Sequence, residues 1–291
     1  MLIAAAITIA LGIDAASLTH DLETIASSVA GVAGVHAELL GSGTSASLRG
    51  DQRFPMQSVY KVPIAMAVLD LVAHGSLALS QRVRIERRDL VPDVHSPIRD
   101  AHPDGSIDFS IQDLLRAAIV DSDGTASDIL YGLAGGPQRI TAYLRGIGIR
   151  GMTVAATERA MAADQMVQYR NFSTPHAAAA LIAAIQAGRG VTPAHRDLLL
   201  GWMRETETGR NRIRAGAPPH AVVADKTGTD TTRGGLTRAT NDIALVTLDD
   251  GRYVAIAIFI KDSTADQTAR EAVIARMAAA VLTAWSQRAS R

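Results

Sequence analysis

Ser58-Val59-Tyr60-Lys61 stands directly before an apolar run of helical period, Val62 to Ala73, and the reading of that tetrapeptide decides the fold. On a helix that starts at the serine, S-x-x-K stacks the lysine amine one turn above the hydroxyl, where it can accept or relay the serine proton. The same residues also suit an ordinary helix start capped by Ser58. A chain of 291 residues holds about one such match by chance, so the flanking sequence has to decide.

Beyond the tetrapeptide, Ala- and Leu-rich helical runs continue at Ile111 to Val120, Ser127 to Leu133, Pro137 to Leu144, Pro175 to Ala187 and Pro193 to Met203. Upstream, Leu18 to Ala30 reads as an amphipathic helix and Val32 to Leu40 as a strand, followed by a Gly/Ser turn segment ending at Arg49-Gly50-Asp51. Near the other end, Asp242 to Leu248 and Tyr253 to Lys261 are β-rich runs joined through Asp250-Gly251, a hairpin signal, and an Ala-rich helix, Thr264 to Trp285, follows. The charged stretch Arg84 to Asp89 reads as a solvated face. Strands at both ends with helices between predict an α+β fold: an antiparallel sheet flanked by helices, built from residues 18–52 and 211–291, with an inserted all-α domain at 53–210. A ligand site is expected in the crevice between the two.

Lys plus Arg equal Asp plus Glu at 29 each, so no net field favours nucleic acid or an anionic membrane. With no cysteine, disulfides, thiolate nucleophiles and Cys-type zinc sites are excluded, and the eight histidines fall into no metal-binding spacing. No metal and no cofactor are expected, and a small molecule is the expected partner. Leu2 to Ile13 is an apolar run of about twelve residues, short of the roughly twenty that span a bilayer. Followed by Ala15-Ala16-Ser17, it predicts a secretory signal over residues 1–17, without the basic residues that usually open one and with no membrane anchor.

Two further elements end predicted secondary structure in order: Ser122-Asp123-Gly124 between helical runs, and Lys226-Thr227-Gly228-Thr229 before the C-terminal strands. S-x-x-K, S-D-N and K-T-G together are the signature of class A β-lactamases and penicillin-binding proteins. Around them stand Arg53-Phe54-Pro55-Met56-Gln57, Gly135-Gly136-Pro137, Trp202-Met203, Arg214-Ala215-Gly216 and Asn241-Asp242. On these residues the chain resembles a class A serine β-lactamase over about Leu18 to Trp285. Ser96-Pro97-Ile98-Arg99-Asp100, Gln168-Tyr169-Arg170-Asn171 and Phe259-Ile260-Lys261-Asp262-Ser263 resemble the divergent branch of the PER- and VEB-type enzymes.

The resemblance implies Ser58 as nucleophile, the backbone N–H groups of Ser58 and Thr229 as oxyanion hole, and Ser122 as proton donor to the departing nitrogen. Lys61 and Lys226 would keep the potential positive. Glu158, in Thr157-Glu158-Arg159-Ala160-Met161-Ala162, matches the Ω-loop glutamate that activates the deacylating water. For the substrate carboxylate the resemblance implies the hydroxyls of Thr227 and Thr229 and the Arg212 side chain, with Arg238 as a substitute, since Thr240 stands where many members carry an arginine; Gly228 between the two threonines is expected among the substrate-binding residues, and Arg214 in a structural ion pair. Three departures matter: Gly124 replaces the asparagine that holds the substrate's acylamino group, Ala162 replaces the asparagine that helps hold the water, and His95 replaces an aromatic at the mouth. Gly124→Asn is therefore expected to favour acylamino substrates selectively. A D-Ala-D-Ala peptidase normally lacks the glutamate, and a penicillin-sensing domain that stays acylated is the other alternative. The resemblance also implies a periplasmic or secreted monomer.

Overall fold

A computed structural model describes residues 15–286. The chain opens with α1 (Ala15–Ser27), β1 (Val32–Leu39), β2 (Thr44–Leu48) and β3 (Phe54–Pro55), and a 3₁₀ turn, Gln57–Tyr60, leads into α2 (Lys61–Ala73). There follow β4 (Arg82–Glu86), α3 (Pro97–Ala101), β5 (Gly105–Ser110), α4 (Ile111–Ile119), α5 (Gly124–Leu133) and α6 (Gly136–Gly146). Next come β6 (Met152–Thr153), α7 (Glu158–Ala163), β7 (Phe172–Ser173), α8 (Pro175–Gln186) and α9 (Pro193–Glu205). The last part holds α10 (Ile213–Gly216), β8 (Val222–Thr229), β9 (Thr240–Thr247), β10 (Tyr253–Lys261) and α11 (Gln267–Ser286).

The five-stranded antiparallel sheet runs β2-β1-β10-β9-β8, so strands from both ends of the chain pair at its centre. Strict alternation along β9 and β10 gives the sheet two buried faces. Val254, Ile256, Ile258 and Ile260 join Ala244 and Val246 in one cluster with α1 and α11 residues such as Leu22, Ile274 and Trp285. Ala255, Ala257 and Phe259 join Ile243 and Leu245 in the other, against the helical body. A pattern of period two with both sets apolar marks a strand covered on both sides.

The helical body closes around α2, whose residues Lys61 to Leu69 are all buried; a helix apolar on every side belongs in the middle of a core. Helix starts follow local chemistry. Thr174 and Thr192 each accept a backbone N–H, from Ala177 and His195, with proline next in sequence at the first helical position.

The expected α+β fold and most expected elements are present, with four differences and one expectation that falls mostly outside the described residues. Helix α1 runs from Ala15 to Ser27 and not to Ala30. The signal segment read for residues 1–17 lies outside the described residues except its last three, which open α1. Lys226-Thr227-Gly228-Thr229 ends a strand, β8, that was expected only as the approach to strands. Residues 53–210 are not all helical: β4 and β5 form a hairpin there, and β3, β7 and β6 a small sheet. Last, Arg84 to Asp89 begins with the final three residues of β4, where Ile85 is fully buried between charged neighbours, so the stretch is not a wholly solvated face.

Candidate active site

Ser58 sits in the 3₁₀ turn and not in the α-helix proper, which starts at Lys61, and no side-chain cap forms there. The turn is held from the sheet. Asn241 on β9 donates its amide to the carbonyls of Pro55 (2.8 Å) and Met56 (3.1 Å). Gly228 on β8 comes so close that a Cβ would lie 2.2 Å from the Met56 carbonyl oxygen and 3.2 Å from the Ser58 nitrogen. Only glycine permits this approach, which brings the last residues of β8 against Ser58.

Lys61 is 2% exposed. Its Nζ donates to the Ser122 carbonyl (2.6 Å), lies 3.4 Å from Ser122 Oγ, and pairs with Glu158 Oε1 at 3.0 Å. Lys226, fully buried on β8, donates to Ser122 Oγ at 3.0 Å and to the Thr227 carbonyl at 3.2 Å. One hydroxyl is thus held between two ammonium groups. Burial, and next the Lys61 charge, pull the Lys226 pKa down to about 7. Ser122 reaches this position through a left-handed backbone, φ +58°. The following Asp123 caps α5 through Ala126 N–H and accepts from Ile98 N–H and the Ser96 hydroxyl, fixing the turn from three sides.

Glu158 opens α7. Its N–H and that of Arg159 donate to the two carboxylate oxygens of Asp128 on α5, at 2.6 and 3.0 Å. Burial raises Asp128 to about 6, against the pull of these two hydrogen bonds. Asn171 holds the segment leading into α7 through Ala155 N–H, Ala156 N–H and the Ala156 carbonyl. From the other side, Gln57 donates to Gln168, and Gln168 and Gln165 donate to Asp230 on the β8–β9 connection.

Ser58, Lys61, Ser122, Glu158, His95, Thr227 and Thr229 line one cleft of about 270 Å³. Lys226, Gly124, Gly228 and Arg212 lie just behind its wall. A larger surface hollow, about 690 Å³ beside Val72, Leu77 and Gln112, has no group of converging titratable side chains. Among the described residues no cluster suited to a metal ion occurs.

Two expectations meet a different arrangement. Arg212 is 2% exposed. Its guanidinium pairs with Glu271 at 3.1 Å and donates to the Asn241 carbonyl (2.9 Å) and to Thr229 Oγ1 (2.8 Å), so it stands behind Thr229 and off the cleft surface. The arginine that lines the cleft is Arg233, on the β8–β9 connection; Arg238 does not, and Arg214 pairs with the buried Asp225, as expected. Nothing in the sequence around Arg233 marks it, because the length of that connection alone brings it round. Second, the space above Gly124 is not vacant: a Cβ there would meet Val94 Cγ2 at 2.6 Å. Thr208, which hydrogen-bonds Thr227 at 2.7 Å, and Asp128 were likewise not singled out from sequence.

A sequence model of the β-lactamase enzyme family matches residues 17–285. The chain belongs to this family. It is 37% identical over 227 residues to the extended-spectrum β-lactamase PER-1 of Pseudomonas aeruginosa, covering 78% of this chain and 74% of that one. To β-lactamase VEB-1 of the same organism it is 34% identical, covering 79% and 78%. A crystal structure of a β-lactamase from Chitinophaga pinensis DSM 2588 superposes with a TM-score of 0.89 at 40% identity, covering 92% of this chain and 99% of that one. The TLA-3 extended-spectrum β-lactamase gives 0.91 at 30% identity, covering 94% and 100%. These neighbours share the whole arrangement of sheet and helices, so the β-lactamase family assignment and the α+β fold rest on the full described chain and not on the motifs alone.

Proposed function

We propose that this chain hydrolyses β-lactam antibiotics through a covalent acyl-serine intermediate. The observation that carries the reading is the placement of Ser122 Oγ between Lys226 and Lys61, with Glu158 paired to Lys61, in the cleft that Ser58 lines. Ser58 Oγ attacks the lactam carbonyl and gives its proton to the Lys61–Glu158 pair. The N–H groups of Ser58 and Thr229 stabilise the oxyanion. Ser122 donates a proton to the departing lactam nitrogen and is resupplied from the adjacent lysines. A water activated by Glu158 then attacks the ester, and Ser58 leaves with the proton restored. Thr227 and Thr229 meet the substrate carboxylate, with Arg212 acting through the Thr229 hydroxyl and His95 walling the mouth.

The cleft is read as the crevice between a sheet domain of residues 18–52 and 211–291 and the inserted body 53–210. Among the described residues no helix is long and apolar enough to cross a membrane. The apolar leader supports export to the periplasm or beyond, and a site complete within one chain supports a monomer. A glutamate within 3.0 Å of Lys61 favours hydrolysis over a peptidase or a sensor that stays acylated. The test is intact mass with a penicillin: Ser58→Ala should abolish covalent labelling, and Glu158→Gln should accumulate acyl-enzyme that wild type clears. Labelling that persists without Ser58 would refute the assignment, and a single turnover of a chromogenic cephalosporin per wild-type site would identify a sensor.

A further inference from the structure

Gly124 opens α5 just behind the cleft wall, and its N–H donates to the His95 carbonyl at 2.9 Å. That bond lays the 93–95 segment directly on the helix start. Asp93 has a left-handed backbone, φ +57°, so the chain turns there and Val94 becomes part of the cleft wall. A Cβ on residue 124 would lie 2.6 Å from Val94 Cγ2, 3.2 Å from the His95 carbonyl oxygen and 3.5 Å from Glu158 Cγ. The first distance is shorter than packed atoms tolerate, and a β-branched side chain has little freedom to move aside. Val94 therefore occupies space that a side chain at 124 would need. With Met161 and Ala162 it lines the cleft beside Glu158, where no hydrogen-bonding side chain stands among the three.

We propose that Val94 is a specificity-determining residue: its isopropyl group, seated over Gly124, offers the acyl side chain of a β-lactam an apolar wall in place of a hydrogen-bonding one. The site should then favour substrates whose acyl group is aromatic or bulky and apolar over the same nucleus without it. This rests on the reading that the chain hydrolyses β-lactams. It also replaces the expectation that asparagine at 124 would bring a selective gain, because the side chain would collide before it could bind.

The experiment compares kcat/KM for benzylpenicillin and for 6-aminopenicillanic acid, which share a nucleus and differ in the phenylacetyl group. Val94→Ala should lower the preference for benzylpenicillin about tenfold, the usual scale for removing a methylene-sized contact from a pocket. Val94→Thr, similar in volume but carrying a hydroxyl, should lower it in the same direction. Gly124→Ala should lower kcat/KM for both substrates and lower Tm, and Val94→Ala in that background should restore Tm. An unchanged preference in both Val94 variants, or a Gly124→Ala protein with wild-type Tm and rates, overturns the inference while leaving the proposed function in place. A wild-type protein that turns over neither substrate overturns both.

Discussion

Replacing Arg212 by alanine removes a buried guanidinium and leaves Glu271, itself 6% exposed, without its cation. Removing one partner of a buried ion pair costs about 3–5 kcal/mol, because the remaining charge stays out of water. Glu271 keeps hydrogen bonds from Gln267 (3.2 Å) and Asn211 (3.4 Å), which places the cost toward about 3 kcal/mol. In a domain of this size that lowers Tm by about 6–12 °C. The Asn241 carbonyl and Thr229 hydroxyl lose a donor as well, so KM should rise several-fold as a secondary effect. The assay is urea unfolding of wild type, Arg212→Ala and the double variant Arg212→Met/Glu271→Met, beside steady-state kinetics. With both charges gone, the double variant should recover most of the lost stability. If Arg212→Ala unfolds at the wild-type urea concentration and only its KM changes, Arg212 touches the substrate directly and its placement behind Thr229 is wrong.

Gly228→Ala should reduce kcat/KM by about a hundredfold or more, since the Met56 carbonyl it would strike is itself held by Asn241 and the displaced strand carries Thr229 away from Ser58; near-normal turnover of a chromogenic cephalosporin would contradict the close approach. Asp128 is raised to about 6, so between pH 6 and 4 the folded protein takes up a proton that the unfolded chain does not, and folding gains stability as pH falls through that window. Relative to Asp128→Asn, wild type should therefore gain up to about 3 kcal/mol in urea unfolding between pH 7 and pH 4, and parallel pH profiles for the two proteins would contradict the shift.

What the sequence disclosed was local. The helical runs and strands β9 and β10 are legible because their periods are set by neighbours a few residues apart, and the T-P starts of α8 and α9 are read directly. Strand β8 was hidden by its own chemistry: Asp225, Lys226 and Thr227 break an apolar alternation, yet all three are buried, Asp225 in its pair with Arg214 and Lys226 and Thr227 at the site. The β4 strand was hidden by arginines on its exposed side, although Val83 and Ile85 alternate with them. The motif residues fixed the heart of the site. Their setting did not follow: that Val94 lies on Gly124, that Asp128 holds the backbone of Glu158, and that Arg212 is neutralised by Glu271 are contacts between distant parts of the chain, and a lone sequence carries no trace of who meets whom.

The central pairing of β1 with β10 sets a constraint on the order of events during synthesis. Val32 meets Lys261, and β1's other neighbour, β2, is the only strand of the large sheet that is made soon after it. Closing so long a loop is slow and its entropy must be met before the sheet returns any stability. Until the last strand leaves the ribosome, β1 presents an open edge and the apolar residues of α1 have no α11 to cover them, so an unfinished chain cannot complete its core. The finished chain, by contrast, brings β1 and β10 side by side, which makes a circular permutant with new ends in an exposed turn such as the one after β2 a natural route to separating the order of synthesis from the fold.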